Sequence, residues 1–316
     1  MAQAAEVHPT GLRGAGPTIG KLGMAQIQWF QQRESFTAAA AGMLAAVAQR
    51  DMPIAAAASV PGHCPICAKP TVFEVNTGAM FADRPNLREG LRCGHCRLTA
   101  RQRLVLLAMS EEIRQLRPPL TGAMLEQSTR LYRAAHARWP WLAGSEFLGE
   151  NRVGGRHYWW STHWWRWRRT RHESITSLSY PARSLSVLVH SDVLEHVYDT
   201  RQALRECARV LRQGGVLLFT APFFAERTRS ILRGRLHDDG RIEHLEPPEY
   251  HGDGMARGGI YTFHSFGWDF FELLRNAGFS RVEIGLCHAP KQGLCAADPA
   301  GSPQRPMLPV VFRAIA

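Results

Sequence analysis

From about residue 120 onward, short apolar runs alternate with amphipathic segments. The apolar runs have the length of buried strands, and the amphipathic segments have the spacing of helices that bury one face. In chain order, these segments cover residues 123–125, 130–138, 141–147, 185–189, 200–212, 216–220, 268–277 and 282–286. Alternating strands and helices predict an α/β domain with a doubly wound, mostly parallel sheet, whose ligand lies beyond the carboxyl ends of the strands.

The apolar run 185–189 ends abruptly in the polar stretch HSDVLEHV, residues 190–197. Carboxylates and imidazoles do not normally follow a buried strand so closely unless the chain leaves the core at that point. Asp192, Glu195 and His196 are therefore predicted to lie at the ligand-binding edge of the sheet.

Upstream of this domain, four cysteines form two Cys-x-x-Cys pairs, Cys64 with Cys67 and Cys93 with Cys96. Two such knuckles can present four thiolates to one zinc ion, because each tight turn places both sulfurs on the same side. Two disulfides would suit a secreted chain, and a redox Cys-x-x-Cys would not need a second copy. We therefore predict a structural zinc ribbon with four cysteine ligands, which has no open coordination position for catalysis.

A helix is predicted on each side of the ribbon. The Ala-rich run 37–48 is too short and too weakly apolar to span a bilayer, which needs about 20 residues. A second helix begins after Thr99, a good N-cap, and ends before Pro118. No transmembrane or targeting segment is predicted, which indicates a cytoplasmic protein. The predicted organisation is a flexible N-terminal region with an Ala-rich helix over 1–60, the ribbon over 61–100, a linker helix over 101–119 and the main domain over 120–316.

The chain carries a net charge of +11, and Arg supplies almost all of its basic side chains, since Lys occurs only at positions 21, 69 and 291. Such a bias can reflect coding preference, so the charge alone gives weak support to a nucleic-acid partner. Between residues 156 and 171, five of the nine Trp residues are interleaved with Arg, in the sequence RHYWWSTHWWRWRRTR. The segment Trp159–Arg171 fits a surface for nucleic acid, an acidic partner or a membrane interface, and it also fits an insertion whose indoles pack on the domain.

The stretch SDVLEHV at 191–197, followed by LRECARVLRQGGVLLFTAPF at 204–223, resembles the type 11-like group of class I S-adenosylmethionine-dependent methyltransferases. In that family a strand ends in a short polar segment near the cofactor, a helix returns, and a Gly-Gly turn leads into a strand that ends in a Pro-containing loop. The four-cysteine ribbon followed by an Arg-Gln-Arg helix resembles one branch of the family. The resemblance implies a Rossmann-like methyltransferase sheet, S-adenosyl-L-methionine as cofactor, and transfer of a methyl group to an unidentified acceptor.

The resemblance also implies a set of cofactor-binding residues. Glu146 lies where the family places an acid on the ribose hydroxyls, and Glu173 and Ser174 occupy the region that flanks adenine. The loop after the first strand of the main domain has no glycine, so its side chains are expected to hold the amino-acid moiety of the cofactor. The full predicted set is Glu126, Gln127, Thr129, Gly144, Ser145, Glu146, Phe147, Glu173, Ser174, Ser191 and Asp192.

Candidates for catalysis come from two segments. Methyl transfer is direct displacement at the sulfonium methyl group, so a base is needed only if the acceptor must lose a proton. The polar segment 238–253 has the features of a substrate lid, although the spacing of its residues does not itself indicate a metal site. Its residues Glu243, His244, Tyr250 and His251 are candidates to orient the acceptor. The predicted catalytic residues are Glu195, His196, His244 and Tyr250.

A second class of function also fits these residues. The glycine-free loop, together with Ser174 and Ser186 at positions where the family tends to carry Asp, is compatible with a catalytically inactive methyltransferase-like module. Such a module would bind nucleic acid or protein through the zinc ribbon and the Trp- and Arg-rich segment. The acids Glu126, Glu146 and Asp192 favour the enzyme, because they match the family's cofactor-binding positions.

Overall fold

The computed structural model describes residues 25–81, 83–161, 167–252, 259–298 and 308–316. Its α-helices are α1 (Arg33–Ala55), α2 (Leu87–Gly90), α3 (Ala100–Ile113), α4 (Arg130–Arg138), α5 (Thr200–Val210) and α6 (Phe270–Asn276). Two short 3₁₀ turns lie at Leu194–His196 and Pro290–Gln292. Among these described segments, no helix has both the length and the apolar character needed to cross a membrane.

The strands form one large sheet, a small sheet in the ribbon and several two-stranded ladders. In chain order they are β1 (Gln28–Phe30), β2 (Ser59–Cys64), β3 (Lys69–Val75), β4 (Met80–Phe81), β5 (Arg84–Pro85), β6 (Leu91–Cys93), β7 (Gly122–Met124), β8 (Leu142–Gly144), β9 (His157–Trp160), β10 (Arg168–Arg171), β11 (Leu185–Ser191), β12 (Leu211–Thr220), β13 (Ile231–Leu232), β14 (Gly234–Leu236), β15 (Ile242–His244), β16 (Tyr250–His251), β17 (Ile260–Tyr261), β18 (His264–Ser265), β19 (Arg281–Leu286) and β20 (Val310–Ile315).

The large sheet has seven strands in the order β1-β19-β20-β12-β11-β7-β8. Strands β8, β7, β11 and β12 are parallel neighbours, whereas β20 runs antiparallel to both β12 and β19. Strand β1 pairs antiparallel with β19, so only β20 and β1 run against the direction of the others. The mostly parallel central sheet predicted from the sequence is confirmed.

Helices cover both faces of this sheet because apolar side chains alternate along its central strands. In β11, Leu188 faces the layer formed by α1, α5 and α6, whereas Val187 and Val189 face the layer formed by α3 and α4. Successive side chains of a strand point to opposite faces, so a strand that is apolar throughout contributes to two cores. Helices on both faces of a mostly parallel sheet are the arrangement of an α/β fold.

The two helices predicted outside the main domain pack against its sheet. Helix α1 extends beyond the Ala-rich run at both ends, and its Phe36 is buried in the core that also holds α5 and α6. Helix α3, predicted as a linker, is buried along most of its length beside β7, β11 and β12. Thr99 begins α3 with a capping box, as predicted. Periodicity identifies a helix without identifying the surface on which it packs, so the sequence did not indicate that both helices pack against the main sheet.

The predicted N-terminal region, residues 1–60, also supplies a strand. Strand β1 pairs with β19 at the edge of the large sheet. Residues 1–24 of the predicted flexible region lie outside the described residues. The part that the structure describes is therefore joined to the main sheet by both backbone pairing and apolar packing.

The ribbon is a three-stranded sheet, β2-β3-β6, with a short β4-β5 hairpin and helix α2 between its second and third strands. Arg103 of α3 is fully buried, and its guanidinium lies 4.7 Å from the centre of the Phe73 ring in the ribbon core. The guanidinium donates hydrogen bonds to the carbonyl oxygens of Leu91, Leu98 and Gly293. Arg103 therefore fastens the ribbon to α3 and to the loop that precedes β20.

His190 of β11 is an imidazole buried in the core of the main domain. Neither ring nitrogen has a hydrogen-bond partner among the described residues. The ring stacks on Phe219 with 5.0 Å between ring centres, and burial lowers the pKa of His190 to about 3. The folded protein therefore holds this side chain neutral.

The substitution His190→Phe is expected to raise the free energy of unfolding at neutral pH by about 1–2 kcal/mol, because it removes buried polar atoms that lack partners. The folded-state pKa lies below that of the unfolded chain, so wild-type stability decreases as the pH falls from about 6.5 towards 3. The variant should lose this part of the pH dependence. Urea unfolding at several pH values measures both effects, and a less stable variant with an unchanged pH profile would contradict this account.

Candidate active site and cysteine cluster

The four cysteines of the ribbon converge on one point. Sγ of Cys64 lies 3.8 Å from Sγ of Cys96, and Sγ of Cys67 lies 3.9 Å from Sγ of Cys93. Zinc binds thiolates at about 2.3 Å, so tetrahedral ligation separates neighbouring sulfurs by about 3.8 Å. The backbone N–H of Cys67 donates to Sγ of Cys64 at 3.4 Å, which favours a thiolate there. The sulfur atoms of the four predicted metal ligands lie within 4.8 Å of one another, which is compatible with one bound metal ion.

Asp192 lies where the chain leaves β11. Its carboxylate accepts two hydrogen bonds from the guanidinium of Arg88, at 2.9 and 3.0 Å, and Nε of Arg101 lies 3.2 Å from it. Glu89 accepts from both arginines, which completes a network of four charges. Burial alone would raise the pKa of Asp192, but Arg101 and Arg88 outweigh burial and hold this pKa well below its usual range. Asp192, which was predicted to bind the cofactor, therefore links α2 and α3 to the edge of the sheet through these ion pairs.

The backbone at Asp192 is in the left-handed region, with a φ of 50°. Non-glycine residues rarely adopt this conformation, and Asp and Asn tolerate it better than most. The N–H of Asp192 donates to the carbonyl oxygen of Thr220 at 2.8 Å, so the residue remains anchored to β12 while its side chain turns towards the arginines.

The glycine-free loop after β7, residues 126–129, contains no positive φ value. Its backbone conformation therefore does not require glycine. The N–H of Gln127 donates to the carbonyl oxygen of Ser145 at 3.0 Å, and its side-chain oxygen accepts from the N–H of Arg171 at 3.0 Å. The hydroxyl of Thr129 caps the N-terminus of α4. In this structure, two side chains predicted to hold the cofactor stabilise the loop itself.

Glu126 and Glu146 are buried at the carboxyl ends of β7 and β8. The hydroxyl of Ser191 donates to Glu126 at 2.7 Å, and the N–H of Ser128 donates to Glu146 at 2.5 Å. Burial raises the pKa of Glu126, and the nearby charge of Asp192 adds to this effect. The structure therefore brings the predicted acids of three parallel strands to one edge of the sheet.

Three further predicted cofactor residues lie at the end of β8. Gly144 packs against the ring of Tyr132, and a Cβ atom at this position would lie 2.4 Å from Cζ of that ring. The packing of α4 against β8 is therefore sufficient to explain why residue 144 is a glycine. The hydroxyl of Ser145 is buried and has no hydrogen-bond partner among the described residues. Phe147 is half exposed, and its ring is tilted against the ring of His172 at 5.6 Å.

Glu173 and Ser174, predicted to flank adenine, are engaged by local partners. The carboxylate of Glu173 is buried and accepts from the guanidinium of Arg171 at 2.8 Å and from the N–H of Ser179 at 2.8 Å. The hydroxyl of Ser174 lies 2.9 Å from that of Thr176. Glu173 therefore has a structural role in ordering the connection between β10 and β11.

Glu195 and His196 lie in the 3₁₀ turn that follows β11. The side chain of Glu195 is fully buried, and neither carboxylate oxygen has a hydrogen-bond partner among the described residues. Burial raises the pKa of Glu195. Nε2 of His196 and Nδ1 of His251 each lie 3.8 Å from Oε1 of Glu195. The structure thus joins two predicted catalytic residues to a histidine of the predicted lid.

The other two predicted catalytic residues lie around Tyr261. Nδ1 of His244 is 3.2 Å from the hydroxyl of Tyr261, and the exposed ring of Tyr250 meets that of Tyr261 edge-on at 5.6 Å. The carbonyl oxygen of Tyr261 lies 2.9 Å from Nδ1 of His196. Tyr261 therefore connects His244 and Tyr250 to the turn that carries Glu195.

Within the predicted Trp- and Arg-rich segment, β9 pairs antiparallel with β10. The side chains of Trp159 and Trp167 are 68% and 59% exposed. Residues 162–166 of this segment lie outside the described residues. Trp160 is partly buried, and its Nε1 atom is buried. The described indoles of this segment therefore include both exposed and partly buried side chains.

Comparison with protein families identifies one domain in this chain. Residues 159–219 match the methyltransferase domain. A probable S-adenosylmethionine-dependent methyltransferase of Mycobacterium tuberculosis strain H37Rv is 41% identical over 119 residues, which are 37% of this chain and 35% of that protein. A similarly named protein of Mycolicibacterium smegmatis is 44% identical over 52 residues, which are 16% of this chain and 20% of that protein. The chain spans about a third or less of the length of these relatives.

Solved structures also resemble this chain at low sequence identity. An S-adenosylmethionine-dependent methyltransferase from Mesorhizobium loti is 16% identical, with a TM-score of 0.37, and the similarity covers 66% of this chain and 96% of that one. One from Listeria monocytogenes is 11% identical, with a TM-score of 0.37, over 67% of this chain and 97% of that one. The family match and the curated relatives agree with the enzyme class that the sequence predicts, and nothing among the comparisons supports a nucleic-acid partner.

Arg88, Arg101 and Glu249 are site residues that the sequence did not predict. Arg101 belongs to the Arg-Gln-Arg helix, so the sequence contained a signal, although its partner Asp192 was not apparent. Arg88 lies between the two cysteine pairs without a distinguishing pattern. Glu249 lies 3.1 Å from Nε2 of His251 in the predicted lid.

Proposed function

We propose that this protein is an S-adenosylmethionine-dependent methyltransferase that carries a structural zinc ribbon and acts on an unidentified acceptor. The methyltransferase-domain match over residues 159–219 carries the proposal, because this range contains β11, the polar turn that follows it, α5 and most of β12. Similarity to the mycobacterial proteins named as probable methyltransferases supports it.

In this proposal the cofactor lies at the edge where β7, β8 and β11 end. Glu146 would hold the ribose hydroxyls, since a carboxylate can accept from both. The unpartnered, buried hydroxyl of Ser145 favours a polar ligand beside it, because buried polar atoms in native proteins are normally paired. Gln127 and Thr129 would support the loop rather than the ligand, given their contacts with the loop backbone.

The cofactor would supply an electrophilic methyl group, and the chain would position the acceptor in line with it. Glu195 and His196 lie beside this edge, and His244 and Tyr250 join the same region through Tyr261. These residues would orient the acceptor, and His244 would take up a proton if the acceptor releases one. The four cysteines would hold zinc as a structural ion, because all their sulfurs are used as ligands.

Titration calorimetry of the full-length, zinc-loaded chain with S-adenosylmethionine tests this function. Glu146→Gln is expected to weaken binding by about 10- to 100-fold, because it removes the charge from a hydrogen-bond acceptor. Glu150→Gln is a matched control, since Glu150 is an exposed acid four residues further along the chain. It should bind S-adenosylmethionine as the wild type does.

An absence of binding to the folded wild type at millimolar ligand would refute the enzyme and leave the methyltransferase-like binding module as the remaining function. Equal affinities of wild type and Glu146→Gln would refute the ribose assignment. Far-ultraviolet circular dichroism of both variants establishes that each is folded.

A further inference from the structure

Glu195, His196 and His251 form a cluster at the carboxyl end of β11. One ligand atom from each lies within 4.8 Å of the others. Two ligands bound at about 2.1 Å to one ion lie about 3–4 Å apart, and the distances from Oε1 of Glu195 to the two imidazole nitrogens are each 3.8 Å. The spacing therefore fits a single small cation between the three side chains.

The outer nitrogen of each imidazole has its own acceptor. Nδ1 of His196 lies 2.9 Å from the carbonyl oxygen of Tyr261, and Nε2 of His251 lies 3.1 Å from a carboxylate oxygen of Glu249. A carbonyl or carboxylate oxygen accepts, so these nitrogens carry the protons. When the rings are neutral, the lone pairs of His196 Nε2 and His251 Nδ1 are directed towards Glu195. Metal-binding histidines are oriented by this kind of outer contact.

The Glu195 carboxylate is the independent indication of a ligand. It is fully buried, and neither oxygen has a hydrogen-bond partner among the described residues. A buried carboxylate without hydrogen-bond partners is costly, and a bound cation would offset that cost.

We propose that Glu195, His196 and His251 bind one divalent first-row transition-metal ion, separate from the cysteine cluster. Two imidazoles and one carboxylate suit such ions and leave coordination positions open. Glu195 and His196 lie in the turn that follows β11, so the site is next to the edge assigned above to the cofactor. This further step rests on the proposed function: an oxygen atom of the methyl acceptor would occupy an open coordination position of the metal ion.

Cobalt titration of the full-length, zinc-loaded chain tests the site without S-adenosylmethionine. Wild type should take up one Co²⁺ per chain with visible d–d absorption and without the sulfur-to-cobalt charge-transfer band of a thiolate site. Glu195→Gln and His251→Gln should abolish this uptake. Glu249→Gln should weaken it by about 10- to 100-fold, because it removes the carboxylate that orients His251.

His237→Gln is the matched control, because His237 lies just before the predicted lid and pairs with the carboxylate of Glu243 at 3.1 Å, outside the proposed ligand set. It should bind cobalt like the wild type.

Cobalt uptake that is equal in wild type, Glu195→Gln and His251→Gln would overturn the proposal, as would uptake that shows only thiolate bands. If Glu195→Gln does not fold, His251→Gln decides, since His251 is partly exposed on a short strand. Cobalt uptake without S-adenosylmethionine binding would support this site while refuting the proposed function. Binding of S-adenosylmethionine without cobalt uptake would support the proposed function while refuting this site.

Discussion

Removal of the zinc ion proposed for the cysteine cluster is expected to unfold the ribbon and to lower the stability of the whole chain. Structural zinc contributes about 10–16 kcal/mol of apparent binding free energy in zinc-finger peptides, and this energy is folding energy. The ribbon core has few large apolar side chains besides its cysteines, chiefly Phe73, Leu87 and Leu91. A segment of about 40 residues with so small a core usually requires such a cross-link.

Loss of the ribbon should also affect the main domain. Arg88 of α2 pairs with Asp192 at the end of β11, and the buried Arg103 joins α3 to the carbonyl oxygens of Leu91 and Gly293. Both links depend on the folded ribbon. A chelator, or the substitution Cys93→Ser, should therefore lower the midpoint of thermal unfolding, measured by circular dichroism beside the zinc content measured by mass spectrometry.

Cys287→Ala is the control for loss of a buried thiol, because Cys287 is buried in the core of the main domain, outside the cluster of four. This variant should retain one zinc ion per chain despite a modest decrease in stability. A protein that contains no zinc after expression with added zinc, or that unfolds at the same temperature with and without chelator, would contradict the structural role of the cluster.

The substitution Asp192→Asn is expected to lower the free energy of unfolding by about 3–5 kcal/mol, because it removes one partner of a largely buried ionic network. Arg88 and Arg101 would then share Glu89 as their nearest acid. Asn retains the size of Asp and also tolerates the left-handed backbone conformation, with its φ of 50°. Urea unfolding at neutral pH therefore measures the loss of the charge with little change in backbone strain.

Acid unfolding gives a second measurement on the same network. The pKa of Asp192 in the folded state is below that of the unfolded chain, so its contribution to stability is complete above about pH 4 and is lost as the pH falls below that value. Asp192→Asn should flatten the stability profile in this range. Asp239→Asn, in an exposed turn, should change stability by less than about 0.5 kcal/mol. Equal stabilities of the two variants would show that the arginine network contributes little.

Local patterns in the sequence predicted most of the elements that position the site. Apolar runs marked β11 and β12, and Thr99 marked the beginning of α3, because these features depend on residues that are close together in the chain. The two Cys-x-x-Cys turns marked the cluster of four cysteines for the same reason. The predicted helix over the Ala-rich run is present as α1. The apolar and polar faces of this helix differ little, so the sequence did not indicate which side of the sheet it covers.

Contacts between distant segments were not predicted by the sequence. Asp192 was assigned to the cofactor because of its place after β11, but its partner Arg88 lies 104 residues away in the chain. Gly144 matched a family position, yet the ring of Tyr132 explains the absence of its side chain. In both cases the role of the residue depends on which surfaces pack together, and no local periodicity records that.

The sequence by itself determined a mostly parallel α/β sheet, a four-cysteine cluster and a polar edge after β11, because each follows from the order and spacing of nearby residues. Only the tertiary structure decided that Asp192 binds the arginines of α2 and α3, and that His251 joins Glu195 and His196. Those contacts form between elements that are far apart in the chain, where the free energy of packing the whole domain selects the neighbours.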